Sequence, residues 1–183
     1  MRRRFIDNIF FIYFTSHIGI SIFFDSQVYL PSWMYPAVFR DLLNKYCTTM
    51  KDPLLLQAPT WYEAFLLCEF FLQFPFFFVA AYAYWKGVKS CPWIRLPIVI
   101  YATHTATTLL PILYHILNYD FRSLETKKLR YAGPVTPSER YLLATVYSPY
   151  LLTPLVMLAD ALTSTAYKTI NETPQTGLSR KTN

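Results

Sequence analysis

An acidic and an amide side chain lie inside the most apolar stretch of this sequence, the 25 residues from Trp61 to Trp85. At a helical rise of about 1.5 Å per residue, Glu69 lies ~12 Å below Trp61, inside the hydrocarbon of a membrane. A lone carboxyl group costs at least about 2.5 kcal/mol there, so Glu69 needs a partner, a cavity or a ligand. Gln73 follows one turn later on the same face, and Pro75 removes a backbone donor from the helix. These two polar side chains, next to a proline kink, predict one wall of an intramembrane pocket.

The composition is that of a membrane protein with several spans rather than of a soluble domain. Of the 183 residues, 54% are hydrophobic, 19% are aromatic and only 15% are charged. The net charge of +6 is spread over termini and loops, which disfavours a nucleic-acid surface. The three cysteines, Cys47, Cys68 and Cys91, offer neither a disulfide framework nor a metal-binding pair. Four glycines provide no phosphate-binding loop, so we expect neither a cofactor nor a metal.

Four apolar stretches are long enough to cross a bilayer, and they predict an all-α four-helix membrane bundle. The predicted spans are about 5–24, 61–85, 93–117 and 141–162, within one domain over residues 1–162, and a polar tail covers 163–183. The basic start of the first span is typical of a signal peptide, but its apolar run is too long and no small-residue cleavage site follows. We therefore predict that the first span is retained.

The segment between the first two spans, residues 26–60, is broken by four prolines. Its stretch PAVFRDLLNKYC (36–47) predicts a short amphipathic helix over the mouth of the bundle, with Val38, Leu42 and Tyr46 at four-residue spacing. The pair Asp52-Pro53 is a turn or cap signal, so Asp52 is predicted to be a structural acid.

Asp25 and Glu69 belong to the same non-cytosolic half of the predicted bundle and are the candidates for binding chemistry. If they share one cavity, the two carboxyl groups cannot both ionise easily and can hold one shared proton. The deeper acid, Glu69, is then protonated, and Asp25 is a counter-ion for a buried ammonium. Aromatic walls would add cation–π and apolar contacts, and the candidates are Phe70, Phe71, Tyr147 and Tyr150. This pattern favours amines with large apolar bodies, although a proton relay or an acid–base enzyme could use the same groups.

Plainer interpretations of several polar residues stay open. His17 in the first span is typical of a packed, hydrogen-bonded histidine, and Asp25 at its end could mark the water boundary. In the third span, Thr108 lies one turn beyond His104, and the two could share an inward stripe with Pro111. Threonine hydroxyls also bond to helix carbonyls, in which case they need no further function.

Charge favours a cytosolic location for both termini, which four spans place on one side. That side would carry 9 Lys and Arg residues against 8, so the count alone is weak. The cluster Arg2–Arg4 and the wholly basic 86–95 loop favour it. Near the end, Arg180 and Lys181 are similar to a dibasic retrieval signal of the endoplasmic reticulum, and the sequon at Asn171 would stay unglycosylated in the cytosol.

These features resemble the sigma-2 receptor family, also called the transmembrane protein 97 family, within the EXPERA group of four-span proteins. The resemblance covers most of residues 5–158. It rests on YFTSHIGISIFFD (13–25), YPAVFRDLL (35–43), KDPLL (51–55), FLLCEFFLQFPFF (65–77), WIRLPIVIYATHTATTLLPIL (93–113) and VYSPYLL (146–152).

The resemblance implies that Asp25 pairs with ligand amines, that Glu69 is the buried acid beside it, and that Asp52 maintains receptor integrity. The positions that match the family's pocket or its sterol site are His17, Phe71, Gln73, Thr108 and Tyr150. Family members are homodimers, mainly of the endoplasmic reticulum membrane, with the nuclear envelope and endolysosomal membranes as further locations. They bind cholesterol and oxysterols, and they are linked to cholesterol homeostasis through the Niemann-Pick type C cholesterol transporter. The expected function is therefore that of a non-catalytic sterol and amine receptor.

The emopamil-binding sterol isomerases of the same group supply the enzymatic alternative. His17 and Glu69 match their pattern, but Ser21 stands where those enzymes carry a glutamate. Moving a sterol double bond needs one group that protonates carbon and another that stabilises or deprotonates the cation, so this apparatus is incomplete. A second alternative is a structural partner of a sterol transporter, whose acids merely pair with each other.

Overall fold

The computed structural model describes residues 3–122 and 133–168, and every regular element in those two ranges is helical. The helices are α1 (Phe5–Phe23), α2 (Ala37–Met50), α3 (Leu54–Gln57), α4 (Thr60–Cys68), α5 (Phe74–Lys86), α6 (Arg95–Asn118) and α7 (Pro137–Thr163). A π-helical turn, Glu69–Gln73, joins α4 to α5 without a break. Short 3-10 turns follow α1 and α7 and precede α2 and α6.

Four helical stretches in these ranges are long and apolar enough to cross a membrane. They are Phe5–Val28, Thr60–Lys86, Pro92–Asn118 and Pro137–Thr163. Many of their large apolar side chains face outward, such as Phe5 (81% exposed) and Ile12 (65% exposed), as expected for lipid-facing positions. The predicted fold class, an all-α protein with four membrane spans, is confirmed.

The core divides into two clusters, one toward each end of the bundle. The first centres on Phe14, Phe77 and Tyr84, where α1 packs along α5, and all three side chains are fully buried. The second includes Leu66 and Leu143, close to where α6 packs along α7. The cavity described below opens among the side chains of this second cluster.

Helix α2 crosses one end of the bundle, as the sequence predicts, but it buries a different face. Leu43 and Cys47 point into the protein, whereas Val38 is 70% exposed and Leu42 is 47% exposed. Phe39 stacks on Phe23 at the end of α1, with ring centroids 4.2 Å apart. Of the four-residue stripe predicted from the sequence, Val38 faces outward, while Leu42 and Tyr46 lie beside this buried face and line the cavity described below.

A partly buried ionic cluster connects α1 to α7 at the opposite end of the bundle. The Arg4 guanidinium makes a bidentate pair with the Asp160 carboxylate. The Nη1–Oδ1 distance is 2.8 Å and the Nη2–Oδ2 distance is 2.7 Å. Its Nε also donates to Asp7, 2.9 Å away. Although burial alone would lower it, the hydrogen bonds and charges of Asp160 and Asp7 raise the pKa of Arg4 above its usual value.

The residues just after α7 belong to the bundle rather than to a free tail. Tyr167 is buried, and its hydroxyl donates to Asp160 over 3.0 Å. Ala166 and Tyr167, which the sequence assigned to the polar tail, therefore pack in the first core cluster. The rest of the predicted tail, 169–183, lies outside the described residues together with Asn171, Arg180 and Lys181, and so do Arg2 and residues 123–132.

Gly87 ends α5 with φ of +88°, a backbone conformation that side chains rarely adopt. A Cβ there would also lie 3.1 Å from Cγ of Arg3. We expect Gly87→Ala to destabilise the protein by about 1–3 kcal/mol, measured by thermal unfolding in detergent. Gly19→Ala is the matched control, because a Cβ at that helical position meets nothing within 4 Å. Equal unfolding temperatures for the two variants would contradict this expectation.

Candidate functional site

The π-helical turn explains how one helix presents two polar side chains inward and three apolar ones outward. Pro75 has no N–H, so the α-helical ladder cannot continue unchanged, and the N–H of Phe74 bonds instead to the carbonyl of Glu69, five residues back. Glu69 and Gln73 both face the interior. The three residues between them face outward, namely Phe70 (46% exposed), Phe71 (68%) and Leu72 (64%).

An internal cavity of about 360 Å³ lies between the four spans, with α2 at one end. This volume falls in the range of small-molecule sites. The lining residues are His17, Ile20, Phe24, Asp25, Leu42, Leu43, Tyr46, Leu55, Tyr62, Phe65, Leu66, Glu69, Gln73, Tyr101, Thr105, Thr108, Leu109, Ile112, Val146, Tyr147 and Tyr150. The walls are thus mainly apolar and aromatic, with two acids and neither a lysine nor an arginine among them.

The two acids differ in their hydrogen bonding. The Ser21 hydroxyl donates to Oε1 of Glu69 over 2.6 Å, which connects α1 to the π-helical turn. Asp25 begins the 3-10 turn after α1, and no described residue donates a hydrogen bond to its carboxyl group. Both line the same cavity, as the sequence analysis supposed. Glu69 is therefore held by the protein, while the Asp25 carboxyl remains available to a bound molecule.

Asp52 is a third acid in this half, and it is fully engaged with protein donors. Its carboxylate accepts hydrogen bonds from the hydroxyls of Tyr46 (3.0 Å) and Tyr147 (2.8 Å) and from the backbone N–H of Leu54 (2.9 Å). Burial raises the pKa of Asp52, and the hydrogen bonds from Tyr147, Leu54 and Tyr46 oppose that rise. Asp52 is 1% exposed and does not line the cavity, which agrees with a structural role.

Hydrogen bonds connect the cavity residue Gln73 to side chains of α6. The Thr105 hydroxyl donates to the Gln73 carbonyl oxygen over 3.1 Å, and the Gln73 amide nitrogen lies 3.2 Å from Nδ1 of His104. The Thr108 hydroxyl bonds to the backbone carbonyl of Thr105. The amide of Gln73 is thus oriented by α6 and is not free to turn.

His17 reaches the cavity with one ring nitrogen engaged. Its Nδ1 lies 3.1 Å from the carbonyl oxygen of Tyr13, so Nδ1 carries the proton and Nε2 is the acceptor of the neutral ring. Its ring packs edge-on against Tyr150, with centroids 4.9 Å apart. His17 is therefore a packed, hydrogen-bonded histidine, and it also lines the cavity wall.

The structure brings most of the predicted site residues together. The cavity is lined by His17, Asp25, Glu69, Gln73, Thr108, Tyr147 and Tyr150. Phe71 is not among the lining residues, and neither is Phe70, because the π-helical turn points both outward. Sequence reasoning missed Tyr62 and Leu66, although they lie seven and three residues before Glu69 and so share its helical face.

Phe65 and Phe71 offer a direct test of which side of this span faces the ligand. Phe65 lines the cavity and Phe71 does not. Because burying an aromatic side chain stabilises by about 1.5–3 kcal/mol, we expect Phe65→Ala to weaken binding of a cavity ligand about tenfold or more. We expect Phe71→Ala to leave it within about twofold. Equal losses of affinity in the two variants, measured by saturation binding in membranes, would contradict this geometry.

Comparison with known families identifies the family to which this chain belongs. The family model described as EXPERA (EXPanded EBP superfamily) matches residues 38–161. The chain belongs to the EXPERA family. The matched region contains α4 to α6 and most of α2 and α7. These helices supply the greater part of the cavity wall. Helix α1 precedes the matched region.

Curated relatives cover most of the chain. The sigma intracellular receptor 2 of Homo sapiens is 46% identical over 168 residues, which are 91% of this chain and 92% of the relative. The protein of the same name from Xenopus tropicalis is 42% identical over 90% of this chain and 92% of its own length. More distant is the efficient mitochondria targeting-associated protein 19 of Schizosaccharomyces pombe, 25% identical over 84% of this chain and 73% of its own length. The predicted membership of the sigma-2 receptor family is therefore confirmed, and the receptor name of these relatives favours a non-enzyme.

Proposed function

We propose that this chain is a non-catalytic intracellular receptor whose internal cavity binds cationic amphiphilic amines, sterols and oxysterols. The observation that carries the proposal is a mainly apolar cavity with two acids and neither a lysine nor an arginine among its described walls. An unpaired carboxylate in such surroundings is costly, and a bound ammonium offsets that cost. Asp25, which lacks a protein donor, is the group that pairs with the ammonium.

Apolar and aromatic walls bind the body of the ligand. Tyr150, Phe65 and Leu66 line the cavity beyond the acids and supply apolar area and ring faces. The same walls suit the ring system of a sterol, whose single hydroxyl needs one polar partner such as Glu69 or Gln73. The receptor name of the relatives supports a receptor role.

The proposed location and regulation are supported by the family and by charge. We place the protein in the endoplasmic reticulum membrane with both termini cytosolic, and in the nuclear envelope and endolysosomal membranes as further sites. Arg4, Lys86, Lys89, Arg95 and Lys168 lie at one end of the bundle, and Arg40, Lys45, Lys51, Arg122 and Arg140 lie at the other. The count therefore does not decide the orientation, which is supported by the cluster Arg2–Arg4 and by the wholly basic 86–95 loop. The proposed role is regulation of cholesterol homeostasis through the Niemann-Pick type C cholesterol transporter, which co-purification from membranes tests.

A homodimer is supported by an unpartnered stripe along α6. Exposed residues recur there at alternating spacings of three and four, the pattern by which two helices pack side by side. They are Leu96, Ile100, Thr103, Thr107, Leu110, Tyr114 and Leu117. Charge introduced at the centre of the stripe, as in Thr107→Arg, is expected to give a monomer in light scattering, whereas a dimer that persists would rule out this face.

Sterol isomerisation is the second candidate function, favoured by the cavity position of Glu69. Against it, Ser21 replaces the expected glutamate, and the Ser21 hydroxyl donates a hydrogen bond to the Glu69 carboxyl group. Formation of product from a Δ8-sterol by the purified protein, abolished in Glu69→Gln, would establish the enzyme and refute the receptor proposal.

The receptor proposal is tested by saturation binding of a radiolabelled amphiphilic amine to membranes that contain the wild-type chain. We expect one saturable class of sites, and competition by an oxysterol if both occupy the cavity. Membranes with equal expression of Leu109→Trp, which fills the cavity, are the control and should lose most of this binding. Absence of saturable binding to well-expressed wild type would refute the proposal.

A further inference from the structure

The acids at the end of the bundle where α1 begins are already paired. Among the described residues, Asp7 and Asp160 are the acids at this end, and Arg4 forms ion pairs with both. Arg95 is engaged as well, because its guanidinium donates to backbone carbonyls at the end of α7. No described acid is therefore left to neutralise the other cations of this end.

Three of these other cations lie close together. Arg3, Lys86 and Lys89 are exposed, and none of them forms an ion pair with an acid among the described residues. Cγ of Arg3 lies 3.1 Å from the position of a Cβ on Gly87, which follows Lys86 directly and precedes Lys89 by two residues. We propose that these three side chains bind the headgroup of a phosphoinositide in the leaflet beside this end of the bundle.

All three cations lie at the depth of the lipid phosphates. Arg3 is two residues before the first span, which begins at Phe5, and Lys86 is the last residue of the second span. Lys89 is three residues before the third span, which begins at Pro92. The polar headgroups of a bilayer occupy this boundary of the hydrocarbon, and basic residues next to a span attract anionic lipids there.

Aromatic rings hold Lys86 beside the lipid rather than in the water. Its ammonium lies 5.0 Å from the ring centroid of Trp85 and 5.9 Å from that of Tyr82. Both rings are about half exposed at the end of the second span, where tryptophan and tyrosine belong to the membrane interface. This placement favours a membrane lipid over a soluble polyanion, which would approach from the aqueous side.

Three cations around one position favour a headgroup with more than one negative charge. The phosphodiester of an ordinary anionic phospholipid has one charge, whereas a phosphomonoester adds about −1.5 to −2 near neutral pH. Arginine can bind such a phosphate with two N–H groups, and lysine binds it as a point charge. The site lies at the opposite end of the bundle from the cavity, so this inference does not depend on the proposed amine binding.

The test titrates the purified full chain in neutral detergent with lipids that have identical acyl chains, and it resolves each bound lipid by native mass spectrometry. The lipids are phosphatidylinositol 4-phosphate, phosphatidylserine and phosphatidylcholine. We expect the Kd of the first phosphoinositide to be at least about tenfold lower than that of phosphatidylcholine, and lower than that of phosphatidylserine. This comparison needs no variant. Equal Kd values for the phosphoinositide and either of the other two lipids would overturn the proposal.

The double variant Lys86→Gln/Lys89→Gln tests whether these side chains are the site. We expect its Kd for the phosphoinositide to rise about fivefold for each lysine removed, and Lys86→Arg/Lys89→Arg to stay within about twofold of wild type. Lys45→Gln/Arg122→Gln is the matched control, because it removes two exposed cations from the other end of the bundle. Thermal unfolding in detergent confirms that each variant is folded. An equal rise in Kd for the glutamine variant and the control would overturn the proposal, since net charge alone would then explain the binding.

Discussion

Asp25→Asn is expected to weaken binding of cationic amphiphilic amines by about a hundredfold or more. Truncating one partner of a desolvated charge pair costs about 2–5 kcal/mol, and each 1.4 kcal/mol is a factor of ten in Kd. Asparagine keeps the shape of the side chain, so the cavity wall is preserved and only the charge is lost. Radioligand saturation binding in membranes with equal receptor levels measures the change.

Asp41→Asn is the control for this prediction, since Asp41 is exposed on α2 at the same end of the bundle and outside the cavity. The affinity of the Asp41→Asn protein for the amine should equal that of the wild type. We expect a smaller loss for Glu69→Gln, because Ser21 already holds Glu69 and glutamine keeps an oxygen at that position. An Asp25→Asn protein that binds the amine as tightly as Asp41→Asn would show that Asp25 is not the counter-ion.

Asp52→Asn is expected to destabilise the fold, not to alter the cavity directly. Two tyrosine hydroxyls donate to one carboxylate oxygen of Asp52 and the N–H of Leu54 donates to the other. An amide offers only one acceptor oxygen, so at least one buried donor is left facing an NH₂ group. A penalty of about 3 kcal/mol corresponds to a fall in Tm of about 6–12 °C for a chain of this length.

Thermal unfolding in detergent measures this fall, again with Asp41→Asn as the control. The fraction that remains folded at low temperature should bind the amine with nearly wild-type Kd, because Asp52 does not line the cavity. An unchanged Tm would contradict the structural role of Asp52. A normal Tm with loss of amine binding would instead make Asp52 part of the ligand site.

The spans and the polar face of the second span could be predicted because both depend on local sequence. A run of about 20 apolar residues is enough to define a span, and Glu69 and Gln73 share a face at any helical spacing near four. Phe71 was assigned to the site both as an aromatic wall and by family resemblance, and it does not line the cavity. Helical periodicity alone places it about 200° from Glu69, on the lipid side.

Contacts between distant segments could not be predicted in this way. The hydrogen bond from Ser21 to Glu69 joins residues 48 apart, and that from Tyr147 to Asp52 joins residues 95 apart. Their existence depends on how far each helix is shifted and rotated against its neighbours, which no local pattern records. For the same reason the contact of Tyr167 with Tyr84, 83 residues earlier in the chain, could not be distinguished from the start of a polar tail.

The central claim, that the cavity pairs a buried carboxylate with a ligand ammonium, is tested most directly on the wild-type protein. The measurement compares the Kd values of two ligands of the same shape, one an amphiphilic amine and the other its neutral analogue with carbon in place of nitrogen. We predict that the amine binds about a hundredfold more tightly, since only it offsets the cost of the charged Asp25. Equal Kd values for the two ligands would contradict the account, because the cavity would then recognise apolar shape alone.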